Sequence, residues 1–306
     1  MKKVVETTSR TKSILLTIAA VLFVLFILIP LAYAFFGNSK LGNVAVIPIE
    51  GVITGDGQSY LGQSTVSSSD LIQFIKEADE NPSIKVIELE INSPGGSAVA
   101  SDEIASAVKN AKKPVVALIR EVGASGGYWI ASATKHIIAN KMSITGSIGV
   151  ISSYLEFSGL MEKYGVQYER LTAGKYKDIG TPMKTLTPEE RTILQSKLDK
   201  IHTFFIQEIA KNRNLPEQKV RELATGEFYL GVEALHYGLI DQLGDQNTLE
   251  QYVKDKYSLK EVKYVYYQKQ VGLLKILTGV FNDFSFHIGQ GVGSMLVQKN
   301  NNLMLV

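Results

Sequence analysis

The fold is decided by residues 84–109, IKVIELEINSPGGSAVASDEIASAVK. Within this stretch, Ile84 to Ile91 is rich in β-branched residues, which is typical of a strand. The turn Asn92-Ser93-Pro94-Gly95-Gly96 follows the strand, and a helix is predicted from Ala98 to Lys109. A strand that leads through a glycine-rich turn into a helix is the first half of a parallel α/β unit.

The same pattern returns immediately afterwards. Val115 to Ile119 predicts a second strand, Gly123-Ala124-Ser125-Gly126-Gly127 is a second small-residue turn, and a helix is predicted to begin near Ser125 and end at Ala133. Repeated strand–helix–strand units predict a parallel sheet with right-handed crossovers. Since the carboxyl ends of parallel strands meet at one edge, where ligands bind, we expect the two turns to lie together.

Further elements extend this pattern on both sides. Val44 to Ile49 predicts another strand, and Val166 to Leu171 a further one. Thr187-Pro188-Glu189-Glu190 is a helix start, with a threonine cap, proline at the first helical position and acids in the first turn. We predict one catalytic domain over residues 42–257. The tail, residues 258–306, has no assigned role, and its apolar part is too short and too charged to span a bilayer.

Composition narrows the class of function. The 306 residues carry a formal net charge of +2, so no basic surface for nucleic acid is indicated. The absence of cysteine excludes disulfides, thiolate chemistry and cysteine-based zinc sites. The histidines lack metal-ligand spacing, so we expect neither a metal site nor a cofactor; they are His136, His202, His236 and His287.

Residues 14–36 predict a single membrane-spanning helix. These 23 residues contain no charged side chain, and at ~1.5 Å per residue they cover about 34 Å, enough to cross the hydrocarbon core of a bilayer. Four basic residues precede the segment: Lys2, Lys3, Arg10 and Lys12. The positive-inside rule therefore places residues 1–13 in the cytoplasm and the catalytic domain on the outer side of the cell membrane.

A cleaved signal peptide is the alternative to this anchor. Ala32-Tyr33-Ala34 is an A-x-A sequence, so cleavage after Ala34 is conceivable on sequence grounds. The apolar stretch before it is about 18 residues long, whereas signal peptides have ~7–15, and this favours an uncleaved anchor. Under either interpretation, the residues after Phe36 work outside the cytoplasm.

Ser125 is the candidate nucleophile. It would stand at the first turn of a helix, between glycines that let a substrate backbone approach closely. Unpaired N–H groups at a helix start can stabilise an oxyanion, and the Gly126 and Gly96 amides are the two candidate donors. Taken alone, each turn is equally consistent with a catalytic role and with glycines that serve only to shape the backbone. A phosphate-binding loop is disfavoured, because neither turn has a nucleotide-binding glycine pattern.

A serine hydroxyl needs a base that removes its proton. No histidine is well placed by sequence, which leaves lysines and carboxylates. Gly174 to Gly180 is a short polar segment that contains Lys175 and Lys177. A lysine that acts as a base must be neutral near pH 7, so its pKa must fall by about three units, which burial in an apolar pocket can achieve.

Five segments in one order resemble the signal peptide peptidase A family. The resemblance covers about residues 44–243. Its motifs are Asn92 to Gly96, Gly123 to Gly127, Thr145 to Val150, Gly174 to Ile179, and Phe228 to Ala234 continuing to Asp241. The combination is specific, although each segment alone is not.

The resemblance implies a Clp-protease/crotonase-like α/β fold and a serine–lysine dyad. By motif position, the nucleophile is Ser125 and the base is Lys177, which precedes Asp178-Ile179. Lys175 is the alternative base. Ser147 or Thr145 would hydrogen-bond the lysine and orient it.

The resemblance also implies substrates and partners. Members of this family cleave apolar signal peptides after their release, and they assemble as homo-oligomers. In the short form, which this length suggests, serine and lysine come from adjacent protomers. Three alternatives stay open: a membrane protease acting on stomatin-like proteins, a crotonase-fold acyl-CoA enzyme, and a non-catalytic membrane scaffold.

Overall fold

The computed structural model describes residues 15–28, 42–58 and 64–269. The described residues up to Tyr267 belong to one compact unit. The predicted cleavage site at Ala34 and most of the predicted tail, residues 270–306, lie outside the described residues.

The centre of the unit is a mostly parallel sheet. The strands of the described chain are β1 Val44–Glu50, β2 Val52–Thr54, β3 Thr65–Ser67, β4 Val86–Ser93, β5 Val115–Ala124, β6 Ile137–Ala139, β7 Ile144–Gly146, β8 Phe228–Leu230, β9 Gln242–Leu243 and β10 Tyr264–Tyr266. The strand order in the sheet is β10-β1-β4-β5-β6-β9, with β7 beside the end of β5 and β8 beside β7. Among these pairs, β7–β8 alone is antiparallel. Strands β2 and β3 form a separate parallel pair.

Helices cover both faces of this sheet. They are α1 Ser68–Glu80, α2 Ala98–Asn110, α3 Gly126–Ser132, α4 Ser158–Lys163, α5 Pro188–Arg213, α6 Glu217–Leu223, α7 Gly231–Tyr237 and α8 Gln246–Tyr257. The long helix α5 begins with the predicted threonine cap, since the Thr187 hydroxyl accepts the Glu190 N–H (3.2 Å) and the Glu190 carboxylate accepts the Thr187 N–H (3.0 Å).

The alternation of side chains along the strands divides the core in two. In β4, Ile87, Leu89 and Ile91 face the larger core, which α1, α2, α3 and α5 cover. Val86 faces the smaller core on the other side, where Leu249 of α8 packs. The chain therefore has a Clp-protease-like α/β fold, in agreement with the predicted fold class.

Two predicted elements differ in extent from the observed ones. The strand predicted to end at Ile119 continues to Ala124, because its last residues pair with β7. The sheet also continues beyond the predicted domain end at Tyr257, since β10 pairs in parallel with β1. Both additions depend on partners far away in sequence, which a local pattern does not reveal.

The strand predicted over Val166–Leu171 is wrong. These residues form no strand, and Leu171 is 97% exposed. The local pattern of branched and aromatic residues is suitable for a strand, but this segment pairs with no strand of the described chain. Instead, the side chains of this segment are all exposed.

The described part of the predicted membrane segment is helical. Residues 15–23 form α-helix, Val24–Leu28 form π-helix, and all of these residues are exposed. Within the described ranges, no helix combines the length and apolar character needed to cross a bilayer. Residues 14 and 29–36 of the predicted span lie outside those ranges, so the span stays a prediction.

A carboxylate lies in the smaller core. Glu88 of β4 is fully buried; its Oε2 accepts a hydrogen bond from the Gln246 amide (3.2 Å), and its Oε1 has no hydrogen-bond partner among the described residues. Burial raises the pKa of Glu88 to about 7, which the Gln246 hydrogen bond opposes. A buried ionised carboxylate therefore weakens the fold at alkaline pH.

We expect Glu88→Gln to stabilise the chain at alkaline pH only. The folded-state pKa of Glu88 lies above the unfolded value, so its favourable contribution is complete below about pH 4 and is lost as pH rises through about 7. The variant keeps an acceptor for Gln246 without the charge. Near pH 8 its free energy of unfolding should exceed that of the wild type by on the order of 2 kcal/mol.

Urea unfolding between about pH 4 and pH 8.5 measures this difference. The difference should be smallest at the acid end, because Glu88 is mostly neutral there in both the folded and the unfolded state. A constant difference across the whole range would contradict the assignment.

Candidate active site

The two glycine-rich turns lie against each other at one edge of the sheet. Strands β4 and β5 pair in parallel up to Ser93 and Gly123, so both turns leave the sheet at the same level. A Cβ atom on Gly95 would lie 2.7 Å from the Gly126 nitrogen and 2.8 Å from the Ser125 Cβ. Only a residue without a side chain allows this contact.

The first turn is held from two sides. Ile53 of β2 donates its N–H to the Gly95 carbonyl (2.9 Å) and accepts the Ser97 N–H (2.8 Å), so the Gly96 N–H points away from β2. A Cβ on Gly96 would lie 2.0 Å from the Ile53 oxygen. The hydroxyl of the fully buried Ser93 also holds the turn in place. It accepts the Gly95 N–H (3.1 Å) and donates to the carbonyl of Gly51, between β1 and β2 (2.6 Å).

Ser125 stands between the end of β5 and the start of α3 in an unusual backbone conformation. Its φ is 51° and its ψ is −121°, a region that non-glycine residues rarely occupy. Two hydrogen bonds fix this conformation: the Ser125 N–H donates to the Gly146 carbonyl (2.8 Å), and its carbonyl accepts the Trp129 N–H (2.9 Å). Strain of this kind is typical of functional sites.

A cleft of about 640 Å³ opens at Ser125. Its walls are the two turns, the first turn of α2, the residues after β7 and one face of α5. Trp129 and Phe205 stack at this cleft, with ring centroids 4.6 Å apart and 15° between the planes. Both rings are almost fully buried, so the stack supports the wall of the cleft beside the half-buried Ser125.

Both predicted oxyanion donors belong to this cleft. Gly96 and Gly126 line it beside Ser125, and a Cβ on Gly126 would lie 3.3 Å from the Gly96 nitrogen. Gly126 begins α3, and the first N–H groups of a helix have no partner within the helix. Two backbone amides are thus available next to one hydroxyl.

The structure does not bring the predicted lysine to this cleft within one chain. No lysine is among the described residues that line it. Lys177 is exposed, in a turn where its N–H donates to the Gly174 carbonyl (3.2 Å).

The alternative base, Lys175, is engaged elsewhere. Its ammonium group lies 2.7 and 3.0 Å from the two carboxylate oxygens of Glu189. This hydrogen bonding raises the pKa of Lys175, the opposite of what a base near neutral pH needs.

The turn that carries both lysines is anchored through Asp178. Arg170 binds its carboxylate with two hydrogen bonds, of 2.5 and 2.8 Å, and Lys184 approaches to 3.4 Å. The Arg170 hydrogen bonds lower the pKa of Asp178 to about 2, so the pair persists across the neutral range. The backbone next to Lys177 is therefore fixed although its side chain is exposed.

The two predicted lysine-orienting hydroxyls differ in position. Thr145 is fully buried and donates to the Gly123 carbonyl (2.8 Å), so its hydroxyl holds β7 against β5. Ser147 lines the cleft, has a positive φ of 49°, and donates to the Gly226 carbonyl (3.3 Å). Of the two, only Ser147 is close to the cleft.

Two cleft residues were not found from sequence. His202 and Asp199, both on α5, line the cleft, and the His202 Nε2 lies 3.3 Å from the Ile148 carbonyl oxygen. The helical spacing of His202 and Phe205 was the available signal, because residues three apart share a helix face. Among the described residues, no cluster of histidine and carboxylate side chains could hold a metal ion.

Comparison with known families agrees with this geometry. The family model for peptidase family S49 matches residues 107–262, and the model for Clp protease matches residues 61–147. The acyl-CoA enzyme considered as an alternative is therefore disfavoured.

Several named proteins are similar to the chain. A putative protease of Methanocaldococcus jannaschii is 30% identical over 85% of this chain and 84% of its own length. A putative signal peptide peptidase SppA of Enterococcus faecium is 34% identical over 70% of this chain and 64% of its own length. Protease 4 of Haemophilus influenzae is 32% identical, and the match spans 33% of that longer protein. Together with the strained serine at the cleft, these matches establish a serine peptidase that belongs to peptidase family S49.

Proposed function

We propose that this chain is a membrane-anchored serine endopeptidase in which Ser125 is the nucleophile and Lys177 the general base. Its substrates are apolar peptides, and released signal peptides are the expected class. The observation that carries the proposal is the position of Ser125, which is strained, half-buried and adjacent to the Gly96 and Gly126 amides in one cleft.

The geometry suits acyl transfer. Neutral Lys177 takes the Ser125 proton, and the Ser125 oxygen attacks the peptide carbonyl. The Gly96 and Gly126 N–H groups stabilise the oxyanion of the tetrahedral intermediate. The protonated lysine then gives its proton to the leaving amine, and a water molecule, activated by the same amine, hydrolyses the acyl-enzyme.

Lys177 reaches the serine of an adjacent copy of the chain in this proposal. The segment that carries Lys177 exposes an unusual number of large apolar side chains, and surfaces of this kind mark protein interfaces. These side chains and their exposed fractions are Ile151 89%, Leu155 73%, Leu160 55%, Tyr164 70%, Val166 54% and Leu171 97%. Contact with a neighbouring copy would bury these side chains. It would also bring Lys177 of one copy toward the Ser125 cleft of the other, which no lysine of its own described chain lines.

The choice of Lys177 over Lys175 follows from the ion pairs around them. Lys175 is paired with Glu189, which favours its charged form. The carboxylate next to Lys177 in sequence, Asp178, is already paired with Arg170. An exposed lysine that becomes buried at an apolar interface loses its proton more readily. Assembly is therefore part of the proposed activation of the base.

Two observations support membrane attachment and apolar substrates. The described N-terminal helix, residues 15–28, exposes all of its side chains, and they are apolar with the exception of Thr17. Apolar side chains that line the cleft and are at least partly exposed, Leu198, Ile201 and Ile151, offer an apolar contact to substrate. We propose that residues 14–36 anchor the chain in the cell membrane, with the peptidase domain outside the cytoplasm.

Substitutions should separate the three candidate residues. Ser125→Ala and Lys177→Ala should each reduce hydrolysis of an apolar peptide by the full-length, detergent-solubilised chain at least about a thousandfold. Lys175→Ala should keep most of the activity, because it removes only an exposed ion pair. A serine-directed covalent probe should label wild type and miss Ser125→Ala. Full activity in Lys177→Ala would refute the assigned base.

Mixed oligomers test whether the dyad is shared. Co-expression of Ser125→Ala with Lys177→Ala should restore activity, since about a quarter of the contacts between copies would then join an intact serine to an intact lysine. Each variant expressed alone stays inactive and is the control. A mixture that stays inactive, although both variants are shown to be in the same oligomer, would place serine and lysine in one chain.

The oxyanion donors can be tested through Gly96. Gly96→Ala introduces a Cβ 2.0 Å from the Ile53 oxygen, so the turn must shift and its N–H with it. Loss of one such donor typically lowers kcat about 100- to 1000-fold. Gly55→Ala is the matched control, because a Cβ on Gly55 meets nothing within 4 Å. Circular dichroism should show both variants folded; normal kcat in folded Gly96→Ala would exclude the role.

A further inference from the structure

The charge of the cleft is unbalanced. Of the described side chains that line it, Asp199 is the one that carries a full charge at neutral pH, and no lysine or arginine accompanies it. His202 is the other titratable group at this surface. A cleft with one negative charge and partly apolar walls distinguishes peptides by the sign of their charge.

Asp199 is free to bind a cation. The Gln195 amide donates to its Oδ1 (2.8 Å), and the Thr203 hydroxyl donates to its backbone carbonyl, so most of the carboxylate's acceptor capacity remains. None of the described basic residues forms an ion pair with it. The side chain is exposed, so a substrate can reach it.

The side chains that line the cleft with Asp199 give the shape of the group that fits. Leu198 and Ile201 of the same helix line the cleft and are partly exposed. Ile151, which also lines it, is 89% exposed. An apolar surface that leads to a carboxylate matches a lysine or arginine side chain, with an aliphatic stem and a cationic head.

We propose that the cleft selects peptides in which a lysine or arginine accompanies apolar residues, and that Asp199 contacts the cation. This inference rests on the proposed peptidase function and adds a charge preference to it. Signal peptides fit the preference, because a positively charged region precedes their apolar stretch. Peptides with glutamate in the same position are disfavoured by repulsion.

The test uses sets of apolar peptides that differ in one residue, lysine, glutamine or glutamate, placed in turn at each position around the scissile bond. At one or more positions, wild type should cleave the lysine peptide with a higher kcat/KM than the glutamate peptide. Asp199→Asn should lower kcat/KM for that lysine peptide about two- to fivefold, the effect of one exposed ion pair, mainly through KM. Asp199→Lys should reverse the order, and added salt should reduce the preference.

Asp255→Asn is the matched control. Asp255 on α8 is also exposed and accepts a hydrogen bond from a glutamine four residues earlier (Gln251, 2.9 Å), but it is not part of the cleft. It should leave every preference unchanged.

Two outcomes would overturn the inference while leaving the peptidase intact. One is equal cleavage of lysine and glutamate peptides at all positions. The other is an Asp199→Asn variant whose pH profile shifts for all peptides alike, which would assign Asp199 to the catalytic base. Absence of any Ser125-dependent cleavage would instead refute the proposed function itself.

Discussion

The contact between two glycine-rich turns is the constraint on which the rest of the site depends. Parallel pairing of β4 and β5 delivers both turns to one edge, and Gly95 then touches Ser125 and Gly126 without a side chain between them. The positive φ at Ser125 costs about 1–3 kcal/mol, which only a well-determined surrounding can offset. Ser125 donates its N–H to the Gly146 carbonyl and accepts the Trp129 N–H, and these bonds, with the buried Ser93 hydroxyl, hold the backbone in place.

The parts of the fold with local signals could be predicted from sequence. The run before Asn92 and the helix cap at Thr187 were identified correctly, because strand period, turn residues and capping chemistry act over a few neighbours. The strand expected over Val166–Leu171 failed for the complementary reason. A strand exists only where a partner offers its backbone, and the sequence of one segment does not contain its partner.

The residues of the site likewise fall into those with a local sequence signal and those placed by contacts distant in sequence. Ser125, Gly96 and Gly126 lie in two short motifs, so residue type and the sheet-edge rule were enough to bring them together. Asp199 and His202 reach the cleft because α5 packs Phe205 on Trp129, a contact between two residues that are 76 positions apart in sequence. Such a contact follows from the complementarity of whole helix faces. Lys177 does not line the cleft in the described chain, so its role as the base stays a prediction.

No lysine of the described chain lines the cleft, and this has a consequence for the timing of activity. If, as proposed, the amine comes from a neighbour and residues 14–36 anchor the chain, a newly made chain is inactive until copies meet in the bilayer plane. Confinement to that plane raises the local concentration of copies and so favours their meeting. Under this proposal, dilution alone keeps single copies inactive, and assembly starts hydrolysis.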